Sequence, residues 1–211
     1  MNKIIISSVI VITILIIGGW YFLFFDRDSS QIIEENKVIE ELKIIESTSD
    51  LALQISDFPE GWEIKSRGER SISDVSIESI NLGWKEGYSV EFRDKENPDK
   101  QVLQLISSYP IENMGKVLDQ YKNEVKLFSE GLNGVKKEFA IESYGIRYRV
   151  EKISCENYGD ESICLKKSYI DGNLPDIYYI EFIDEKYFIL LGGYDNELLK
   201  ELAQKVDSMI K

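Results

Sequence analysis

The stretch that decides the fold is 177-IYYIEFIDEKYFILLGG-193. Two runs rich in β-branched and aromatic residues, 177–183 and 187–191, flank Asp184-Glu185-Lys186, which marks a hairpin turn. Each run has strand length, and each is apolar on both faces rather than alternating. Strands of that kind lie inside a sheet that is covered above and below. The rest of the chain must supply both covering layers.

The downstream layer is plain. Gly192-Gly193 leads to a helix cap at Asp195 or Asn196, and Leu198, Leu199, Leu202, Ala203, Val206, Met209 and Ile210 then recur every three or four residues. Upstream, Asp171-Gly172-Asn173 is a turn signal after an extended segment at 165–170. Before that, Ile146, Tyr148 and Val150 alternate with Arg147, Arg149 and Glu151 in a strand at about 146–153. Another strand, about 135–141, follows Asn133-Gly134. The second covering element is a middle helix carrying Met114, Val117, Leu118, Tyr121, Val125 and Phe128, capped near Asn113 and stopped near Gly131.

Two strands precede Pro110. One puts Trp84, Tyr88, Val90 and Phe92 on a single face with Glu86 as the polar exception, and the other runs over 102–109. A charged turn containing Pro98 joins them. Residues 66–80 fit neither period. Leu51, Leu53 and Ile55 alternate into Asp57-Phe58-Pro59-Glu60-Gly61-Trp62, where Pro59 and Gly61 make a turn and Trp62 and Ile64 open an extended segment. The sum is an α+β domain: a mostly antiparallel sheet of about six or seven strands, packed by a middle and a C-terminal helix.

At the other end of the chain, the run from Ile4 to Phe25 holds 22 residues without a charge. As a helix it would be roughly 33 Å long, against a bilayer hydrocarbon core of ~30 Å. It exceeds the apolar region of a cleaved signal peptide, and it ends in Trp20-Tyr21-Phe22-Leu23-Phe24-Phe25 instead of a small-residue cleavage site. No Cys follows it, as a lipoprotein would require. The expectation is a single-pass signal-anchor over 1–28, a helical stalk or linker over 29–50 and an extracytoplasmic domain over 51–211. Lys3 and the amino terminus precede the span and Asp26-Arg27-Asp28 follow it, so positive-inside reasoning leaves the N-terminus in the cytoplasm. In the stalk, Ile32, Ile39 and Leu42, with Val38 and Ile45, give a short amphipathic pattern. Packing on its own domain, acting as a spacer and weak homo-oligomerisation as a coiled coil all stay open.

Beyond residue 25 the chain carries 24 Lys and Arg (25 less Lys3) against 38 Asp and Glu, a net charge of 24 − 38 = −14. That balance repels a phosphate backbone, and the basic pairs Lys136-Lys137 and Lys166-Lys167 make no stripe, so nucleic acid is not an expected partner. There is no histidine. His-dependent triads, His-ligated zinc and the commonest neutral-pH general base therefore go together. Cys155 and Cys164 enclose eight residues, a spacing that suits a disulfide across a loop in an oxidising compartment; two reduced, half-buried cysteines are the alternative.

The segment Asp57-Phe58-Pro59-Glu60-Gly61-Trp62, followed by the strand with Trp84, Tyr88, Val90 and Phe92, resembles the D-[LF]-P-x-G-W pattern of membrane-anchored extracytoplasmic proteins of archaea and bacteria. The order of elements over 51–211 is similar to the PsbP-like fold, an α/β/α sandwich. The resemblance implies an accessory or assembly role, and it implies no metal or cofactor residue here because no motif for one matches.

Of the enzyme chemistries, carboxylate pairs are the available candidates: Asp57/Glu60, Asp94/Glu96, Asp160/Glu161 and Asp184/Glu185. All sit at expected turns, where solvated surface is the ordinary reading. GxSxG, S-x-x-K and Walker A patterns are absent from the sequence. Asn157-Tyr158-Gly159-Asp160-Glu161, inside the cysteine loop, offers oxygen ligands for calcium but lacks the EF-hand order. Phe58 and Trp62 at the Pro-Gly turn are the aromatic pair expected to face a partner. The leading expectation is thus a non-enzymatic, membrane-tethered domain that binds a protein or cell-envelope partner, with no cofactor. A metal- or carboxylate-dependent envelope hydrolase and a scaffold dimerised through its stalk are the alternatives.

Overall fold

The two central strands lie where their two-sided apolarity requires, in the middle of an eight-stranded antiparallel sheet. The structure, a computed structural model, describes residues 47–129, 138–141, 145–170 and 174–211. The apolar run 4–25, the stalk up to residue 46 and the expected turns at 133–134 and 171–173 lie outside the described residues. The compact unit runs from Ser47 to Lys211. Among the described residues no helix is long and apolar enough to cross a membrane.

The strands are β1 (Trp62–Glu69), β2 (Glu86–Asp94), β3 (Gln101–Ser108), β4 (Ala140–Ile141), β5 (Arg147–Ile153), β6 (Glu161–Tyr169), β7 (Ile177–Asp184) and β8 (Tyr187–Gly193). Their order in the sheet is β1-β2-β3-β8-β7-β6-β5-β4. Two antiparallel meanders, β1–β3 and β4–β8, thus meet where β3 pairs with β8. The helices are α1 (Ile77–Asn81), α2 (Met114–Ser129) and α3 (Asn196–Ile210).

Register assigns the faces. Val90, Gln104, Leu191, Ile180 and Cys164 are successive cross-strand partners and share one side of the sheet. The N-terminal turns cover that side: the buried Gln104 accepts a hydrogen bond from Leu53 N–H (2.8 Å) and donates one to Leu51 O (3.0 Å). One side-chain amide thereby satisfies two backbone groups that would otherwise be buried unpaired. Helix α3 packs on the same side. Its Leu199, Leu202, Ala203 and Val206 are buried, and Asp195 caps it by accepting from the N–H groups of Glu197 and Leu198. The opposite side carries Phe188, on which Tyr121 of α2 stacks with centroids 4.9 Å apart. The result is three layers.

The local expectations that failed did so for identifiable reasons. The sheet has eight strands rather than six or seven, and β6 begins at Glu161 instead of 165, because its polar first residues sit inside the cysteine loop. Leu51, Leu53 and Ile55 lie on or between 3-10 turns, Thr48–Leu51 and Ile55–Asp57, rather than along a strand; Leu51 and Leu53 are buried while Ile55 is exposed. The ambiguous 66–80 segment is the end of β1, a 3-10 turn at Ile72–Asp74 and the start of α1. Asn113 does not cap α2: it closes the 3-10 turn Ile111–Asn113, and its amide donates to Leu82 O (3.0 Å).

Candidate functional site

At one end of the sheet three pieces of chain converge: the loop after β5, the β7–β8 turn and the C-terminal half of α3. A disulfide organises the first. Cys155 lies two residues beyond β5, and Cys164 sits on β6 opposite Ile153, so the pair bridges the two strands with Cα atoms 5.4 Å apart. The bridge closes off residues 156–163, and the loop folds back over the sheet. Its Tyr158 is buried, with its ring against Phe182 (centroids 5.8 Å).

Four hydrogen bonds fasten this loop. Gly159 N–H donates to Asp207 Oδ1 (2.6 Å) and Gln204 Nε2 to Glu156 Oε2 (2.6 Å), both tying the loop to α3. Asp160 N–H donates to Ile183 O (2.8 Å), and Glu185 N–H donates to Asp160 Oδ2 (3.1 Å), tying it to the β7–β8 turn. The approach is close enough to require glycine. Gly159 has φ +56°, and a Cβ there would lie 2.2 Å from Ile183 O and 3.1 Å from Asp184 Cβ.

Asp184 therefore packs directly against this glycine, next to Asp160 and near Asp207. It is only 8 % exposed, and its Oδ2 has no hydrogen-bond partner. Burial, followed by the negative charges of Asp160 and Asp207, pushes its carboxyl above the usual carboxylate range, and Lys211 offsets this in part. Tyr158 shows the same field. Its hydroxyl is also buried without a partner, and burial together with Glu156, Glu197 and Asp207 pushes its pKa up to about 12. Among the described residues no three His, Cys, Asp or Glu side chains are placed to hold a metal ion.

The structure places Phe58 and Trp62 at different depths. Phe58 is buried and stacks on Phe92 of β2 with centroids 4.0 Å apart. Trp62 lies 5.1 Å from Phe58, is half-buried and is the outer member of this aromatic row. The Pro59–Gly61 turn that delivers it uses Gly61 at φ +97°.

Of the carboxylate pairs, Asp57 accepts from Gln54 N–H (2.7 Å) and pairs with Lys205, and Asp94 accepts from the N–H groups of Glu96 and Asn97. Glu161 forms an ion pair with Lys122 of α2. These carboxylates cap turns or join elements. Asp160 and Asp184, taken from two different pairs, come together, with Glu185 beside them. Asp207 completes the corner and was not among the sequence candidates: on a terminal helix it reads as one more exposed acid, 47 positions after Asp160.

No protein-family model matches this chain, and no curated protein matches it. Among solved structures, it is similar to the extracellular domain of PknH from Mycobacterium tuberculosis, with a TM-score of 0.53 and 9 % identity over 76 % of this chain and 95 % of that one. A protein from Mycobacterium smegmatis also aligns, at a TM-score of 0.46 and 10 % identity over 78 % of this chain and 96 % of that one. The first of these likenesses shows a shared fold. At these identities it carries no residue's role across.

Proposed function

We propose that this chain is a single-pass, membrane-tethered, extracytoplasmic domain that binds a protein or cell-envelope partner and is not an enzyme. The observation that carries this reading is the Cys155–Cys164 disulfide, which closes a loop on the domain and belongs to an oxidising compartment. The uncharged run of 22 residues ahead of the domain gives it a tether, and positive-inside reasoning sends the domain outward. Its fold resembles that of an extracellular domain. The PsbP-like resemblance belongs to the same reading, as an accessory or assembly role.

Within this reading Trp62 is the contact residue and Phe58 its support. A half-buried amphipathic ring beside Phe58 suits a partner interface. The test replaces Trp62 with a photo-crosslinking amino acid in the full-length protein in its native membrane. A discrete crosslinked product from position 62, absent from a control at the exposed Lys116 of α2, supports the reading. Crosslinking to water and lipid alone would remove this surface from it.

A further inference from the structure

We infer that the corner formed by Asp160, Asp184 and Asp207 is an acid-strengthened clasp, in which a proton on Asp184 locks the disulfide loop onto the terminal helix and the β7–β8 turn.

The geometry supplies the parts. Asp184 Oδ2 is a buried acceptor with nothing donating to it, which is far costlier for an ionised carboxylate than for a carboxylic acid. The groups facing it come from every element packed there. The loop contributes Asp160, with Glu156 beyond it; the turn contributes Glu185; helix α3 contributes Asp207 and the exposed Lys211. Lys211 is committed to Asp207 Oδ2 at 2.6 Å, and Glu161, next to Asp160, is neutralised by Lys122. Lys186, the other cation of the turn, lies 5.0 Å from the centroid of the Tyr187 ring. At neutral pH the corner therefore holds more negative charge than these lysines balance.

Two of the loop's four fastenings pass through these carboxylates. Asp207 takes the Gly159 N–H and Asp160 takes the Glu185 N–H. Repulsion from an ionised Asp184 pushes against both holders at once. A proton on Asp184 removes that repulsion. Because the folded protein binds this proton more tightly than the unfolded chain does, stability rises as pH falls from neutral through the raised Asp184 range, and is lost again as pH rises.

The inference stands on the folded corner and does not need the partner-binding reading. Amide hydrogen exchange in the full-length protein in detergent, corrected for the intrinsic pH dependence, follows Gly159, Asp160 and Glu185. Between about pH 7.5 and about pH 5 their protection should rise at least ~3-fold relative to amides in β8. D184N should show the protected level at both pH values, whereas K100Q, remote from the corner, should behave as wild type. The carboxyl chemical shift of Asp184, read by NMR in the wild-type protein, gives a second measurement that needs no variant, and its midpoint should lie above that of exposed aspartates. An exchange pattern independent of pH, a pH response unchanged in D184N, or an ordinary midpoint for Asp184 would each overturn the clasp.

Discussion

Trp62 and Phe58 stand four positions apart, yet substitutions there should do different things. Phe58→Ala empties a buried site against Phe92 and should cost about 3–5 kcal/mol in chemical denaturation. Trp62→Ala removes a half-buried ring and should leave most of the stability in place while reducing partner capture; equal destabilisation by the two would reject the distinction. Gly159→Ala meets both a carbonyl oxygen 2.2 Å from its new methyl and a left-handed backbone, and should cost more than about 2 kcal/mol. Among the described carboxylates, Asp176 and Asp184 oppose each other in the pH dependence. At Asp176 burial is outweighed by hydrogen bonds from Lys166 and Ser168, which hold its carboxyl below the usual range, so its contribution is lost as pH falls through that lowered value. Asp184 works the other way. Asp184→Asn should therefore raise the melting temperature at neutral pH, and the gain should vanish toward the usual carboxylate range; a gain constant across pH would show that packing, not charge, was changed.

At the scale of elements, the disulfide and the helix caps are the parts that a variant isolates cleanly. Closing so short a loop should stabilise by about 2–3 kcal/mol. Cys155→Ser with Cys164→Ser should lower stability by that amount, and hydrogen exchange should place the loss first in residues 156–163. Asp195→Ala leaves two α3 N–H groups without their acceptor and should cost about 1 kcal/mol by the same denaturation assay. These elements also show what was legible beforehand. The β7–β8 hairpin and α3 announced themselves because their apolar periods run uninterrupted and their ends carry turn or cap residues. The first half of β6 did not, because Glu161-Ser162 read as loop while the sheet pairs them with Ile183 and Phe182. Leu51 and Leu53 carried a strand-like alternation, but their backbone is held by the Gln104 amide, a partner about fifty positions away that no local pattern encodes. The acidic corner was half visible: Asp160 and Asp184 stood out at turns, and Asp207 joined them only once α3 had folded back over the loop.

For the whole molecule, the described residues form a three-layer α+β domain, and the proposal gives that domain a partner at a membrane surface. Two-sided burial of β7 and β8 places the core in the sheet itself, and the disulfide loop adds Tyr158 to it against Phe182. If the stalk pattern at Ile32, Ile39 and Leu42 serves as a dimeriser, the full-length protein in detergent should show a concentration-dependent mass by light scattering; a strictly monomeric mass would assign those residues to another role. The most direct test of the central claim is mass spectrometry of the full-length protein gently purified from its native membrane. The account predicts a chain that keeps its first 25 residues, weighs two hydrogens less than its reduced form, and arrives with a stoichiometric protein or envelope component. A chain with free thiols, recovered alone from that membrane, would contradict it.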